Sequence, residues 1–127
     1  MDEFKYFKWS EFDCHSGKGE AIKHMDKDFI CLLDDARGIA GVPFNITSGY
    51  RTAEYNQALQ EEGFKTSKTS SHVKGLAADI SVNDSATRFK IITALMIVGI
   101  SRIGIGNNFI HCDTDKNKTQ QLMWTYY

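Results

Sequence analysis

The sequence predicts an α+β fold with a central, mainly antiparallel sheet flanked by helices. Two observations carry that expectation. Helical periodicity is confined to the first part and middle of the chain, whereas short β-branched runs accumulate late, joined by turns too short for parallel crossovers. At 127 residues with 42% hydrophobic content, the chain fits one domain spanning residues 1–127, with enough apolar side chains for a core.

From Glu20 to Ile39, apolar residues recur at Ile22, Met25, Phe29, Leu32, Leu33 and Ala36, the three-and-four spacing of one helix face. That helix is expected to end near Gly38 or Gly41, and Pro43 cannot continue it. "PFNITSGY" follows as a short strand with Phe44, Ile46 and Ser48 at alternating positions. A second helix is expected over Thr52 to Glu62, with Thr52 as its cap, Glu54 in its first turn and Gly63 after its end. "FKTSKTSS" reads as a polar loop, more simply a solvated connection than a lid. "LAADISV" is the next strand, and "NDS" caps a helix from about Ala86 to Val98 that carries Phe89, Ile92, Leu95 and Met96 inward. Gly99 closes it. "SRIGIG", "NFIHCD" and "QQLMWTYY" form two or three short strands joined by Gly-Asn and Asp-Lys-Asn turns.

Fifteen Lys plus Arg balance sixteen Asp plus Glu, so no strong field draws the chain to nucleic acid or an anionic membrane. No run approaches the roughly 18 apolar residues of a membrane span. The start "MDEFKYFKWSEFD" lacks the basic and apolar regions of a secretory signal. Cytoplasmic synthesis is therefore expected, and a monomer. Cys14, Cys31 and Cys112 are odd in number and lack CxxC spacing, which argues for reduced, packed thiols.

Alternation in "LAADISV" puts Ala77, Asp79 and Ser81 on one face and Leu76, Ala78, Ile80 and Val82 on the other. A carboxylate inside an apolar strand is costly unless it is paired or bound to a cation, so Asp79 faces a site rather than the core. In "NFIHCD" the same rule groups Phe109, His111 and Asp113 against Ile110 and Cys112. His72 and His111 both lie at strand edges, whereas His15 sits in an N-terminal loop and His24 on the polar side of the first helix. Two readings stand: a satisfied polar cluster, or a metal site.

"SGYRTAEYN", "SSHVKGLAADI" and "RIGIGNNFIHCD" resemble, in order and spacing, the motifs of the zinc D-alanyl-D-alanine carboxypeptidase family, which includes dipeptidases and phage or bacterial peptidoglycan endopeptidases. The likeness runs from about Phe12 to Asp113 and rests on Ser70, His72, Gly75, Ala77, Asp79 and His111. It implies a zinc cleft on one sheet face, with Zn2+ held by His72, Asp79 and His111 and water in the fourth position. It implies Arg51 at the scissile carbonyl or the substrate carboxylate, Ser70 as a substrate contact, and hydrolysis of an amide bond in the peptide part of peptidoglycan. A phage or prophage lysis enzyme acting on the wall after release, or a bare catalytic domain, suits the size.

Several relatives carry an acid three residues before the last histidine, where this chain has Asn108, which cannot take a proton. Asp113 is the nearest carboxylate, as general base or as the group that orients His111. For Arg51 the plainer role is a structural ion pair. Asn56 is a candidate substrate contact with a solvated helix surface as its plainer role, and Gln57 follows it on the same helix. Trp9, Phe12, Trp124 and Tyr126 are expected to pack the core or a cleft wall, with substrate contact as the lesser alternative. The rival functions are a non-catalytic zinc-containing module that binds wall peptide or a protein, and a virion structural component without metal.

Overall fold

The structure, a computed structural model, describes residues 3–64 and 70–127. The expected "KTSKT" part of the polar loop lies outside the described residues. A single 3-10 turn, Trp9–Phe12, precedes helices α1 (Ala21–His24) and α2 (Lys27–Ala40). Then come β1 (Ile46–Ser48), α3 (Ala53–Glu61), β2 (Ala77–Ser81) and α4 (Ser85–Ile97), and the chain ends with β3 (Arg102–Ile105), β4 (Phe109–Asp113) and β5 (Leu122–Thr125). The fold is α+β, as expected from the sequence.

The sheet runs β1-β2-β4-β3-β5. Its first three pairings are antiparallel, and β5 joins β3 in parallel. One face is apolar. Ala78 and Ile80 of β2, Ile103 of β3, and Ile110 and Cys112 of β4 pack there with Phe29, Ile30 and Leu33 of α2 and Ile91, Ala94 and Leu95 of α4. The three cysteines are free, and Cys14 and Cys112 are buried. The opposite face of the sheet carries Asp79, His111 and Asp113. Among the described residues no helix is long and apolar enough to cross a membrane.

The structure corrects the first helix. The stretch expected to be continuous from Glu20 to Ile39 breaks at Met25, whose backbone is extended, and restarts with Asp26 as the N-cap of α2, its carboxylate accepting from Asp28 N at 2.9 Å. Ile22 is left 60% exposed while Met25 is buried. The break has a tertiary cause: Asp26 N–H donates to the carbonyl of Gly75 at 2.9 Å, so the helix junction docks on the loop that carries His72. Gly75 has φ +74°, and a Cβ there would come within 2.0 Å of the His24 carbonyl oxygen. Only glycine fits.

A second correction concerns α4. Phe89 and Met96, expected inward, are 71% and 59% exposed, and the buried residues are Ile91, Ala94 and Leu95. The helix is apolar on most sides, so periodicity alone does not select a face, and packing against α2 and β4 sets its rotation. The cap of α3 holds as read, with Thr52 Oγ1 accepting from Tyr55 N at 3.1 Å.

Comparison of two glycine variants tests the docking of the Gly75 loop. Gly63 also has positive φ, +91°, but open space around its missing Cβ. Gly63→Ala should cost about 1 kcal/mol for backbone strain alone, and Gly75→Ala at least about 2–3 kcal/mol more because of the clash. Urea denaturation of both reads the difference, and equal midpoints would refute the docking.

Candidate metal centre

The site begins with register. Along β2, Ala78 and Ile80 enter the core, so Asp79 projects from the other face. Antiparallel pairing sets Asp79 opposite His111, and His111 opposite Gly104 of β3. His72 arrives from the turn before β2, whose backbone is tied by Arg51 N donating to the His72 carbonyl at 3.2 Å. His72, Asp79 and His111 offer ligand atoms that all lie within 4.8 Å of one another.

The hydrogen bonds decide which nitrogen each ring offers. His72 Nδ1 lies 2.7 Å from the carbonyl oxygen of Gly49, which can only accept, so Nδ1 carries the proton and Nε2 presents a lone pair. That Nε2 is 3.2 Å from Asp79 Oδ1. His111 is fixed from the other side: Nε2 lies 2.8 Å from Asp113 Oδ2, and Nδ1 2.9 Å from Asp79 Oδ1. Each histidine thus has one nitrogen anchored and one aimed at the same carboxylate oxygen.

This donor set fits zinc. Two imidazoles and a carboxylate, with the outer nitrogens held by a carbonyl and a carboxylate, make a three-ligand site that leaves a position open. Tetrahedral bonds of about 2.0–2.1 Å place ligand atoms roughly 3.3 Å apart, near the two contacts Asp79 makes. Electrostatics agrees for two of the three. Burial keeps the His72 imidazole below its usual pKa, against the pull of Asp79. Burial alone would raise the Asp79 carboxyl, but its close contacts with His72 and His111 hold it well below the carboxylate range. For His111, burial is outweighed by its bonds to Asp113 and Asp79, which raise its pKa.

Asp113 is occupied on several sides. Besides His111, it accepts from Arg102 Nε at 2.8 Å and from Asp115 N at 3.1 Å. Arg51 lies beside the cluster: Nη2 is 3.5 Å from Asp79 Oδ2, Nε donates to Ser48 Oγ at 3.0 Å, and Nη1 is 3.4 Å from Asn56 Oδ1. Asn56 is only 3% exposed and stands behind Arg51, whereas Gln57 is on the surface. Ser70 is buried at the cleft wall, its hydroxyl accepting from His72 N at 3.3 Å.

The three residues sit in an open cleft of about 1050 Å3 that is also lined by Tyr55 and Leu59 of α3 and by Trp124 and Tyr126. His15 also lines it, through Nε2 at 2.7 Å from the Thr47 carbonyl. His24 lies elsewhere, paired with Glu20 and stacked on Tyr50. Trp9 and Phe12 pack against or within the core.

A family model described as Peptidase M15 matches residues 5–113. The chain belongs to the peptidase M15 family. These are zinc metallopeptidases of the D-alanyl-D-alanine carboxypeptidase kind. No individually curated protein matches the chain. The M15 match covers Arg51, Ser70 and the three clustered residues, and stops at Asp113.

Sequence reading missed Arg102 and Asp115, both buried and charged. The signal for Arg102 was present: a guanidinium inside "SRIGIG" needs a buried partner for the same reason that Asp79 does. Asp115 accepts from Ser71 Oγ at 2.8 Å and from Lys74 Nζ at 3.0 Å, which no local pattern foretells.

Replacing Asp79 with Ala should abolish tight divalent-cation binding. Asp113→Asn, which keeps the shape but weakens the hold on His111, should loosen it about 10–100-fold. Competition against a chromophoric chelator measures both, and wild-type affinity in Asp113→Asn would refute the orienting contact.

Proposed function

We propose that the chain is a zinc-dependent peptidase that hydrolyses an amide bond in the peptide part of bacterial peptidoglycan. The observation that carries this reading is the His72, Asp79, His111 cluster, with its outer nitrogens anchored, lining an open cleft beside Arg51. His72 Nε2, an Asp79 oxygen and His111 Nδ1 would hold Zn2+. When bound, the ion lowers the pKa of water towards about 7 and polarises the scissile carbonyl.

The protein's own groups supply the rest. Arg51, steadied by Ser48 and Asn56, presents a fixed cation where a substrate carboxylate or a carbonyl oxygen gaining charge would lie. Ser70 offers a hydroxyl on the same wall. Of the two roles open to Asp113, orienting His111 fits its contacts better than proton transfer, because His111, Arg102 and the Asp115 amide all draw on its oxygens. Asn56 acts through Arg51 rather than on substrate.

A non-catalytic module that binds wall peptide through the same cleft is the second reading. Its support is Asn108, which lines the cleft without a group that can accept a proton.

Dialysis against a chelator followed by Zn2+ should remove and then restore release of free amines from peptidoglycan. Metal-independent release, or none from any wall type, would sink the peptidase reading. Arg51→Ala should retain zinc and lose about 100-fold or more in turnover. Mass spectrometry of the muropeptides separates carboxypeptidase trimming from endolysin-like cleavage within the stem or cross-link.

A further inference from the structure

Part of the cleft lining comes from residues beyond the M15 match, and its construction is specific. Pairing across the sheet aligns Asp79, His111, Gly104 and Trp124 in one row from β2 to β5. At the third place the row has no side chain. A Cβ on Gly104 would come within 2.7 Å of both Trp124 Nε1 and Tyr126 Cε2, so the two rings lie over the glycine. They thereby reach the metal ligands: the Trp124 ring centroid is 5.7 Å from that of His111, and Arg102 stacks over Trp124 at 4.9 Å. Tyr126 packs on Phe109 at 5.1 Å, and its backbone N–H donates to the Ile105 carbonyl at 3.0 Å.

The neighbours of this pair underline the contrast. Leu122, Met123 and Tyr127 are exposed, whereas Trp124 and Tyr126 are half-buried and both line the cleft. Burial raises the Tyr126 phenol, even with a hydrogen bond from Trp124 pulling the other way, and Asp79 and Asp113 add to the rise. The hydroxyl stays protonated and can donate.

We propose that Trp124 and Tyr126 form the substrate-binding wall of the cleft, the indole covering the apolar part of a bound wall peptide and the Tyr126 hydroxyl donating a hydrogen bond to a carbonyl of its backbone. The substrate class rests on the peptidase reading above; the wall itself rests on the geometry of β3 and β5. A bound peptide would lie between this wall and Arg51, across the ligands.

The test uses zinc-loaded full chain with Trp9→Phe, which leaves Trp124 as the remaining one of two tryptophans. A synthetic stem pentapeptide ending in D-alanyl-D-alanine is titrated while Trp124 emission is followed, and kcat/KM is measured on the same peptide and on peptidoglycan. A saturable change in emission is expected. Tyr126→Phe should weaken binding or kcat/KM about 3–10-fold, the loss of one hydrogen bond, with zinc content and thermal midpoint unchanged. Gly104→Ala, which displaces both rings, should lose more while keeping zinc. No response of Trp124 to the peptide, or Tyr126→Phe within twofold of the parent in both binding and kcat/KM, would overturn the proposal. Binding that responds to Tyr126→Phe in a protein without zinc-dependent hydrolysis would support the wall and defeat the peptidase reading instead.

Discussion

The pairing of β2 with β4 is the constraint on which the rest depends. It places Asp79 against His111 and, two residues on, Ala77 against Asp113. Because side chains alternate along a strand, a slip of one residue would turn Asp79 towards the core and Ile80 towards solvent. The core prevents that slip. Ala78, Ile80, Ile110 and Cys112 are each fully buried against α2 and α4, and their exchange with charged residues would lose apolar burial and strand a carboxylate. Packing on one face of the sheet thus holds the chemistry on the other in place.

Around that row the polar groups form a connected set. His72 leans on the Gly49 carbonyl, His111 on Asp113, Asp113 on Arg102, and Arg102 Nη1 on the Thr119 carbonyl at 2.6 Å. Asp115 joins the turn after β4 to Ser71 and Lys74, the neighbours of His72. The two histidines come from segments far apart in sequence, and this bracing gives both a common frame. Buried charge is expensive singly, but here the charges are satisfied by one another and by backbone groups. Such bracing fixes the outer contacts of both histidines, the arrangement expected of residues that hold a cation.

Much of this was readable from residue order. Alternation in "LAADISV" and "NFIHCD" separated site residues from core residues, because period-two burial is a local property of a strand. The same rule, applied to "SRIGIG", would have exposed Arg102 as a buried ion seeking a partner. Other features resisted. The break at Met25 depends on the distant Gly75 carbonyl, and the rotation of α4 on partners at α2 and β4. Neither leaves a periodic trace, since the local pattern suits a continuous first helix and any of several faces of α4.

Element order within this chain therefore determined the fold class and alternation the apolar and polar faces of two strands, while the likeness to the carboxypeptidase motifs singled out the three clustered residues. Tertiary structure decided which nitrogen each histidine presents, that Asp113 is engaged by His111 and Arg102, that Asn56 sits behind Arg51, and that Trp124 and Tyr126 fold over Gly104. The division has a physical reason. Burial along a strand is set by nearest neighbours, whereas a hydrogen-bond partner or a vacant Cβ position is set by segments that meet only when the sheet closes.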